Sequence, residues 1–300
     1  MSRILVTGAS GFVGSVVRDR LVDDAHEVVG TTTGIPDPGA RYCNIEDRAA
    51  VAALVHEIDP EVVIHCAAIS SVTAGQATDY YRVNTVGTQN LIDAFAGTTK
   101  RQRFVFVSTA GVYGNQDEEI LHEGLCPKPV HHYGMSKFCS ERIVRNYADE
   151  FECTIIRPFN IIGEGQNGEF IVPKLVEAFR ERRPVVRLGN LDVYRDYIDI
   201  NDAADILVGL TFGPAAAGAT VNLCSGKPVA LRDLIASLQA ITGHNIEVEV
   251  APEFVRRNEV WRLMGDPSKL QRLLGGPLDL KPIDQTLRRM LARENEEPRR

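Results

Sequence analysis

The chain has 300 residues, 44% of them hydrophobic and 24% charged, enough for a large core and roughly two domains. Its formal net charge of −7 argues against nucleic acid and anionic membrane surfaces as partners, while leaving room for local arginine sites toward a small anion. No apolar run reaches the roughly 18 residues needed to span a bilayer, no secretory signal precedes the first strand, and the six cysteines show no CxxC spacing; a cytoplasmic protein with reduced thiols and no metal site is expected.

The first predicted strand, Ile4-Leu5-Val6, runs into Gly8, Gly11 and Gly14 and then an amphipathic helix over about 12–22. In that setting glycines allow a tight turn, close backbone approach to phosphate and close helix–strand packing, while the amides at the helix start face an anion. A dinucleotide pyrophosphate is the ligand implied. Strands over 26–31, 61–66, 103–107 and 153–157 then alternate with helices over 48–58, 85–96 and 133–150. Continuous apolar runs such as Val62-Val63-Ile64 and Phe104-Val105-Phe106-Val107 fit strands covered on both faces. The expected fold is α/β, a Rossmann-type doubly wound parallel sheet with right-handed crossovers.

The alternation breaks after Asn160. A Gly-rich loop over 163–168 precedes a helix over 172–182 and a strand over 185–188. Next come the segment Arg195-Asp196-Tyr197-Ile198-Asp199, a helix over 202–212, a strand over 220–223 and a helix over 231–242. These predict a dinucleotide-binding domain of 1–160 plus about 196–223. A smaller, interleaved α/β substrate lobe takes about 161–195 plus 224–300. The ligand is expected in the crevice at the strands' C-terminal ends.

Two segments carry chemistry. Tyr133 and Lys137 are four residues apart, which places phenol and ammonium on one helix face. A phenol titrates near 10, and a nearby ammonium favours the phenolate and brings proton transfer into a useful range. Ser108 and Thr109, leaving a strand end, offer a hydroxyl to the same carbonyl oxygen. The set suits hydride transfer at a secondary alcohol or ketone, with a nicotinamide carrying the hydride.

The motifs TGASGFVG, His65-Cys66-Ala67-Ala68, Asn84-Thr85-Val86-Gly87-Thr88, STAGVYG, YGMSK and Arg157-Pro158-Phe159-Asn160 together resemble the extended short-chain dehydrogenase/reductase family, whose members modify nucleotide sugars. The resemblance implies Thr109, Tyr133 and Lys137 as the catalytic set. It implies cofactor contacts from Gly8, Gly11, Phe12, Val13, Gly14, Thr31, Asn44, Ile45, Ala67, Ala68, Asn84 and Arg157, besides Tyr133 and Lys137. Asn160, Val172, Arg195, Arg256 and Glu259 are the implied substrate contacts, and a homodimer through helices 85–96 and 133–150 is the family's habit.

Details narrow the branch. Family 4,6-dehydratases carry acidic residues just after the catalytic Thr, whereas Ala110 and Gly111 stand here and cannot move protons. RPFNIIGEGQ and LDVYRDYID look like GDP-4-keto-6-deoxy-mannose reductases, and the stretch Arg256 to Val260 resembles a nucleotide-contacting segment of GDP-mannose dehydratases. At the end of the second strand, Gly30-Thr31-Thr32-Thr33 holds no carboxylate to repel a 2′-phosphate, and Arg41 is the nearest downstream cation. NADPH, or use of both NADP and NAD, is therefore expected over strict NAD. Asn44 stands where relatives usually have Asp beside the adenine. The reading is an NAD(P)H-dependent reductase of the C4 ketone of a GDP-linked 4-keto-6-deoxyhexose. Its rivals are a 4-epimerase with retained NAD and a non-catalytic dinucleotide sensor.

Overall fold

The computed structural model describes residues 2–36, 38–71, 76–254 and 259–292. The first half runs β1 (Arg3–Thr7), α1 (Phe12–Asp23), β2 (Glu27–Thr32), β3 (Ala40–Tyr42), α2 (Arg48–Ile58), β4 (Val62–His65), α3 (Ala77–Tyr80), α4 (Gly87–Ala96), β5 (Arg103–Val107), α5 (His132–Arg145) and β6 (Glu152–Pro158). The second half runs β7 (Asn160–Ile162), α6 (Ile171–Arg180), β8 (Val185–Leu188), β9 (Tyr194–Asp199), α7 (Ile200–Phe212), β10 (Thr220–Leu223), β11 (Pro228–Ala230), α8 (Leu231–Thr242), β12 (Glu247–Val250), β13 (Arg262–Leu263), α9 (Ser268–Leu274) and α10 (Ile283–Ala292).

Seven strands form one parallel sheet in the order β10-β6-β5-β4-β1-β2-β3. Side chains alternate between its faces, so Ile4, Val6, Val105 and Val107 enter the core under α1 and α7. Leu5, Val63, Phe104 and Phe106 enter the opposite core under α2, α4 and α5. This double coverage is why the strands read as unbroken apolar runs. Local signals agree with the tertiary plan at α2, where the Asp47 carboxylate accepts from the amides of Ala49 and Ala50 at 3.0 Å each. Strand order reverses between β1 and β4, which opens a crevice at their C-terminal ends.

The second lobe has its own core, built from α6, α8 and α10 against β8 and β9. Here the expected boundaries shift. The segment from Tyr194 to Asp199 is a strand of a small second sheet, paired with β7, β11 and β13, and only α7 and β10 return to the large sheet. Conversely, α9 leaves the lobe and buries Leu270 in the core of the large sheet. Helix α5 stops at Arg145, earlier than expected, because the chain turns there to let Tyr147 reach Asp93 and Gln89 of α4. The helix expected over 85–96 is preceded by α3 and a π-helical stretch, Tyr81–Val86, that carries Asn84. No helix among the described residues is long and apolar enough to cross a membrane.

Candidate active site

A cleft of about 1200 Å³ lies at the crevice and takes one wall from each lobe. It exceeds the range of about 300–1,000 Å³ usual for a single ligand, as a site for two partners held together requires. Its floor is the loop between β1 and α1. Gly8 has φ +68, and a Cβ there would lie 2.8 Å from the Ala67 backbone. A Cβ on Gly14 would lie 2.2 Å from the Gly8 carbonyl oxygen, so α1 reaches this position only because Gly14 has no side chain. Gly11 begins the helix with no side-chain cap, which leaves the first-turn amides for an anion. The loop therefore fits a dinucleotide pyrophosphate.

On the opposite side of the cleft, Thr109 leaves the end of β5 and its Oγ1 accepts from the Gly111 amide at 3.0 Å. Tyr133 and Lys137 face the cleft from the start of α5, as their spacing predicts. Burial pushes the Tyr133 phenol above its ordinary range, and a hydrogen bond with Thr109 draws it partly back. Lys137 is 1% exposed, with its Nζ 4.2 Å from the Phe106 ring centroid. Burial lowers its ammonium to about 8, opposed by Cys66 and Glu141. His65 is enclosed between the hydroxyls of Thr7 (2.6 Å) and Thr88 (2.9 Å), and burial keeps it neutral.

The cleft brings together Gly8, Gly11, Phe12, Val13, Gly14, Ala68, Thr109, Tyr133, Lys137, Asn160, Arg195 and Glu259. The other expected contacts among the described residues do not line it. Arg157 is buried and gives its guanidinium to Glu141 (2.9 and 2.6 Å) and the Tyr113 hydroxyl (3.0 Å), so its geometry fits a structural ion pair and not a cofactor contact. Val172 is buried in the lobe core, and its neighbour Ile171 lines the cleft instead. Thr31 is buried and ties its carbonyl to the Ala9 amide at 2.9 Å, while Ile45 packs beneath Gly87. Asn44 turns its side chain back to the Glu46 amide at 3.1 Å. Ala67 supports Gly8, and Asn84 is a fully buried clamp joining Ile69 to Ser136. Arg41 is held by Glu57 at 2.7 Å. The hydroxyl that β2 offers comes from Thr32, 2.7 Å from cleft-lining Ser10. Arg256 lies outside the described residues.

Sequence reasoning assigned no contact to the loop over 163–168, yet Glu164 and Gln166 line the cleft. Gln166 donates its amide to the Ile161 carbonyl at 3.0 Å. Its Oε1 and the Oδ1 of Asn160 are buried acceptors with no partner among the described residues. Such atoms call for donors on a ligand. A glutamine inside a glycine-rich loop was the available signal.

A profile of the NAD dependent epimerase/dehydratase family matches residues 4–224. The chain belongs to this family. Like other extended short-chain dehydrogenases/reductases, it is an NAD(P)-dependent oxidoreductase. It is 36% identical over 290 residues to the GDP-6-deoxy-D-talose 4-dehydrogenase of Aggregatibacter actinomycetemcomitans, with 96% of each chain covered. It is 30% identical to the GDP-6-deoxy-D-mannose reductase of Pseudomonas aeruginosa, covering 97% of this chain and 96% of that one. Among solved structures, RMD from Pseudomonas aeruginosa complexed with NADPH superposes with a TM-score of 0.85 at 28% identity, over 97% of this chain and 98% of that one. UDP-glucose 4-epimerase from Thermus thermophilus, in complex with NAD, matches with a TM-score of 0.84 at 25% identity, over 97% and 99%.

Proposed function

We propose that this protein reduces the C4 ketone of a GDP-linked 4-keto-6-deoxyhexose and runs the reverse oxidation when the alcohol is supplied. The reading is carried by Thr109, Tyr133 and Lys137 sharing one cleft with the phosphate loop and the substrate lobe. The loop of Gly8, Gly11 and Gly14 would hold NAD(P)H, which would supply the hydride. Thr109 orients the carbonyl oxygen by hydrogen bonding. Tyr133, kept protonated by burial, gives its proton to the developing alkoxide. Lys137 stabilises charge beside it, and the lobe-side Asn160, Arg195 and Glu259 hold the nucleotide end of the substrate.

Ala110 and Gly111 carry no proton-transfer group, which speaks against dehydration across C5–C6. The two GDP-sugar relatives support GDP as the nucleotide. Their 6-deoxytalose and 6-deoxymannose are C4 epimers that share one 4-keto form, so the face that receives hydride is what separates them. The Thr32–Ser10 hydroxyl pair and the lack of a carboxylate on β2 beyond its first residue support use of NADPH. A homodimer through α4 and α5 fits the exposed Val86 and Met135 beside them.

The test adds GDP-4-keto-6-deoxy-mannose with NADPH or NADH, follows nicotinamide absorbance, and reads the C4 configuration of the product by NMR. One cofactor oxidised per sugar supports the reading. Epimerisation of a nucleotide sugar without net oxidation assigns a 4-epimerase instead, and no turnover in either assay sinks both.

A further inference from the structure

Glu141 is a buried carboxylate that the proposed reaction does not use, and it stands one helical turn beyond Lys137 on the same inward face of α5. Its Oε1 accepts from the Ser108 hydroxyl at 2.5 Å and from Arg157 Nε at 2.9 Å, while Oε2 accepts from Arg157 Nη2 at 2.6 Å. Ser108 immediately precedes Thr109. The carboxylate thus touches the strand end that presents the hydroxyl and lies on the helix that presents the phenol and the ammonium.

We propose that Glu141 is a positioning residue for Lys137: its fixed negative charge keeps that buried side chain an ammonium at neutral pH and locks α5 against the end of β5. The proposal rests on the role given to Lys137 in the proposed function.

The charges around Lys137 leave Glu141 this task. From the end of β4 it faces neutral His65 and the Cys66 thiol, which burial raises to about 12. From β5 it meets the apolar Phe106 ring. From its own helix come Tyr133, kept protonated by burial, and Glu141. On the neighbouring π-helical stretch the neutral amide of Asn84 is committed to Ile69 and Ser136, and the exposed Arg82 is paired with Asp79 and Glu46. Arg157 on β6 is a second buried cation, itself bound to Glu141. Among the described residues Glu141, paired with Arg157, is therefore the one carboxylate acting on this ammonium, and it counters burial. Its grip on Arg157 fixes its rotamer, so its charge cannot swing away from α5.

The test is a pH titration of the protein labelled with 13Cε-lysine, followed by NMR, in the parent, Glu141→Gln and Glu141→Asp. The seven lysines give a readable spectrum, and the Lys137 signal is the one lost in Lys137→Met. Glu141→Gln should move the Lys137 midpoint down by about one unit or more, and Glu141→Asp, which keeps the charge, by clearly less. Because Glu141→Gln strands the Arg157 guanidinium, Glu141→Gln/Arg157→Gln carries the same expectation without a buried unpaired charge; Arg157 is not among the groups acting on Lys137. A Lys137 midpoint within about 0.3 units of the parent in whichever glutamine variant folds overturns the proposal. The alkaline limb of kcat/KM for the 4-keto sugar should move with the midpoint. A midpoint that moves without the limb leaves the assignment of Glu141's charge standing and removes Lys137 from the reaction, which is a failure of the proposed function.

Discussion

Arg195 and Glu259, 64 residues apart in sequence, meet on the cleft wall with Nη2 and Oε1 3.3 Å apart. Both side chains are largely enclosed, and Asn115 anchors the Glu259 carbonyl from the other domain at 3.0 Å. The pair places a guanidinium and a carboxylate side by side on that wall.

Arg195→Ala should raise KM for the nucleotide sugar by about 10- to 100-fold, the worth of one charged hydrogen bond, while NADPH binding is unchanged. Glu259→Gln keeps the shape and should cost less. Steady-state kinetics alongside NADPH fluorescence titration checks both, and an unaltered KM in Arg195→Ala removes Arg195 from the substrate site.

Tyr133→Phe removes the proton donor while preserving the ring. Turnover should fall by about 10²- to 10⁴-fold with cofactor affinity retained. Near-normal turnover would sink the assignment of Tyr133.

Gly14→Ala puts a methyl group 2.2 Å from the Gly8 carbonyl oxygen. The helix must back away from the strand, at a cost of about 1–3 kcal/mol, and the phosphate loop opens with it. Thermal denaturation should show the loss of stability, and NADPH titration a weakened Kd.

Lys137 titrates at about 8 in the folded chain, against 10.5 for an ordinary lysine. Above about pH 8 the ammonium is lost, so activity should fall on the alkaline side. Stability moves the other way: between about 8 and 10.5 the unfolded chain binds the extra proton, so the penalty for burying the charge is full below that window and lifts across it. Lys137→Met should abolish the rise in stability over this interval, as chemical denaturation at about pH 7.5 and about pH 10 would reveal.

The elements that sequence alone determined are those whose cause is local. Gly8, Gly11 and Gly14 follow a strand directly, Tyr133 and Lys137 are one turn apart, and Phe104 to Val107 is apolar on both faces; period and spacing suffice for each. They delivered the doubly wound sheet, the phosphate loop and the facing pair on α5. Who meets whom across long separations depends instead on how the whole chain packs. Arg157 looked available for a ligand, but Glu141 and Tyr113 were already waiting for it in the core, where an unpaired charge would be untenable. The strand from Tyr194 to Asp199 was visible as a motif, but its partners β7, β11 and β13 come from three distant places in the chain. Leu270 drew α9 onto the large sheet because apolar burial has no sequence address, only a free surface to cover.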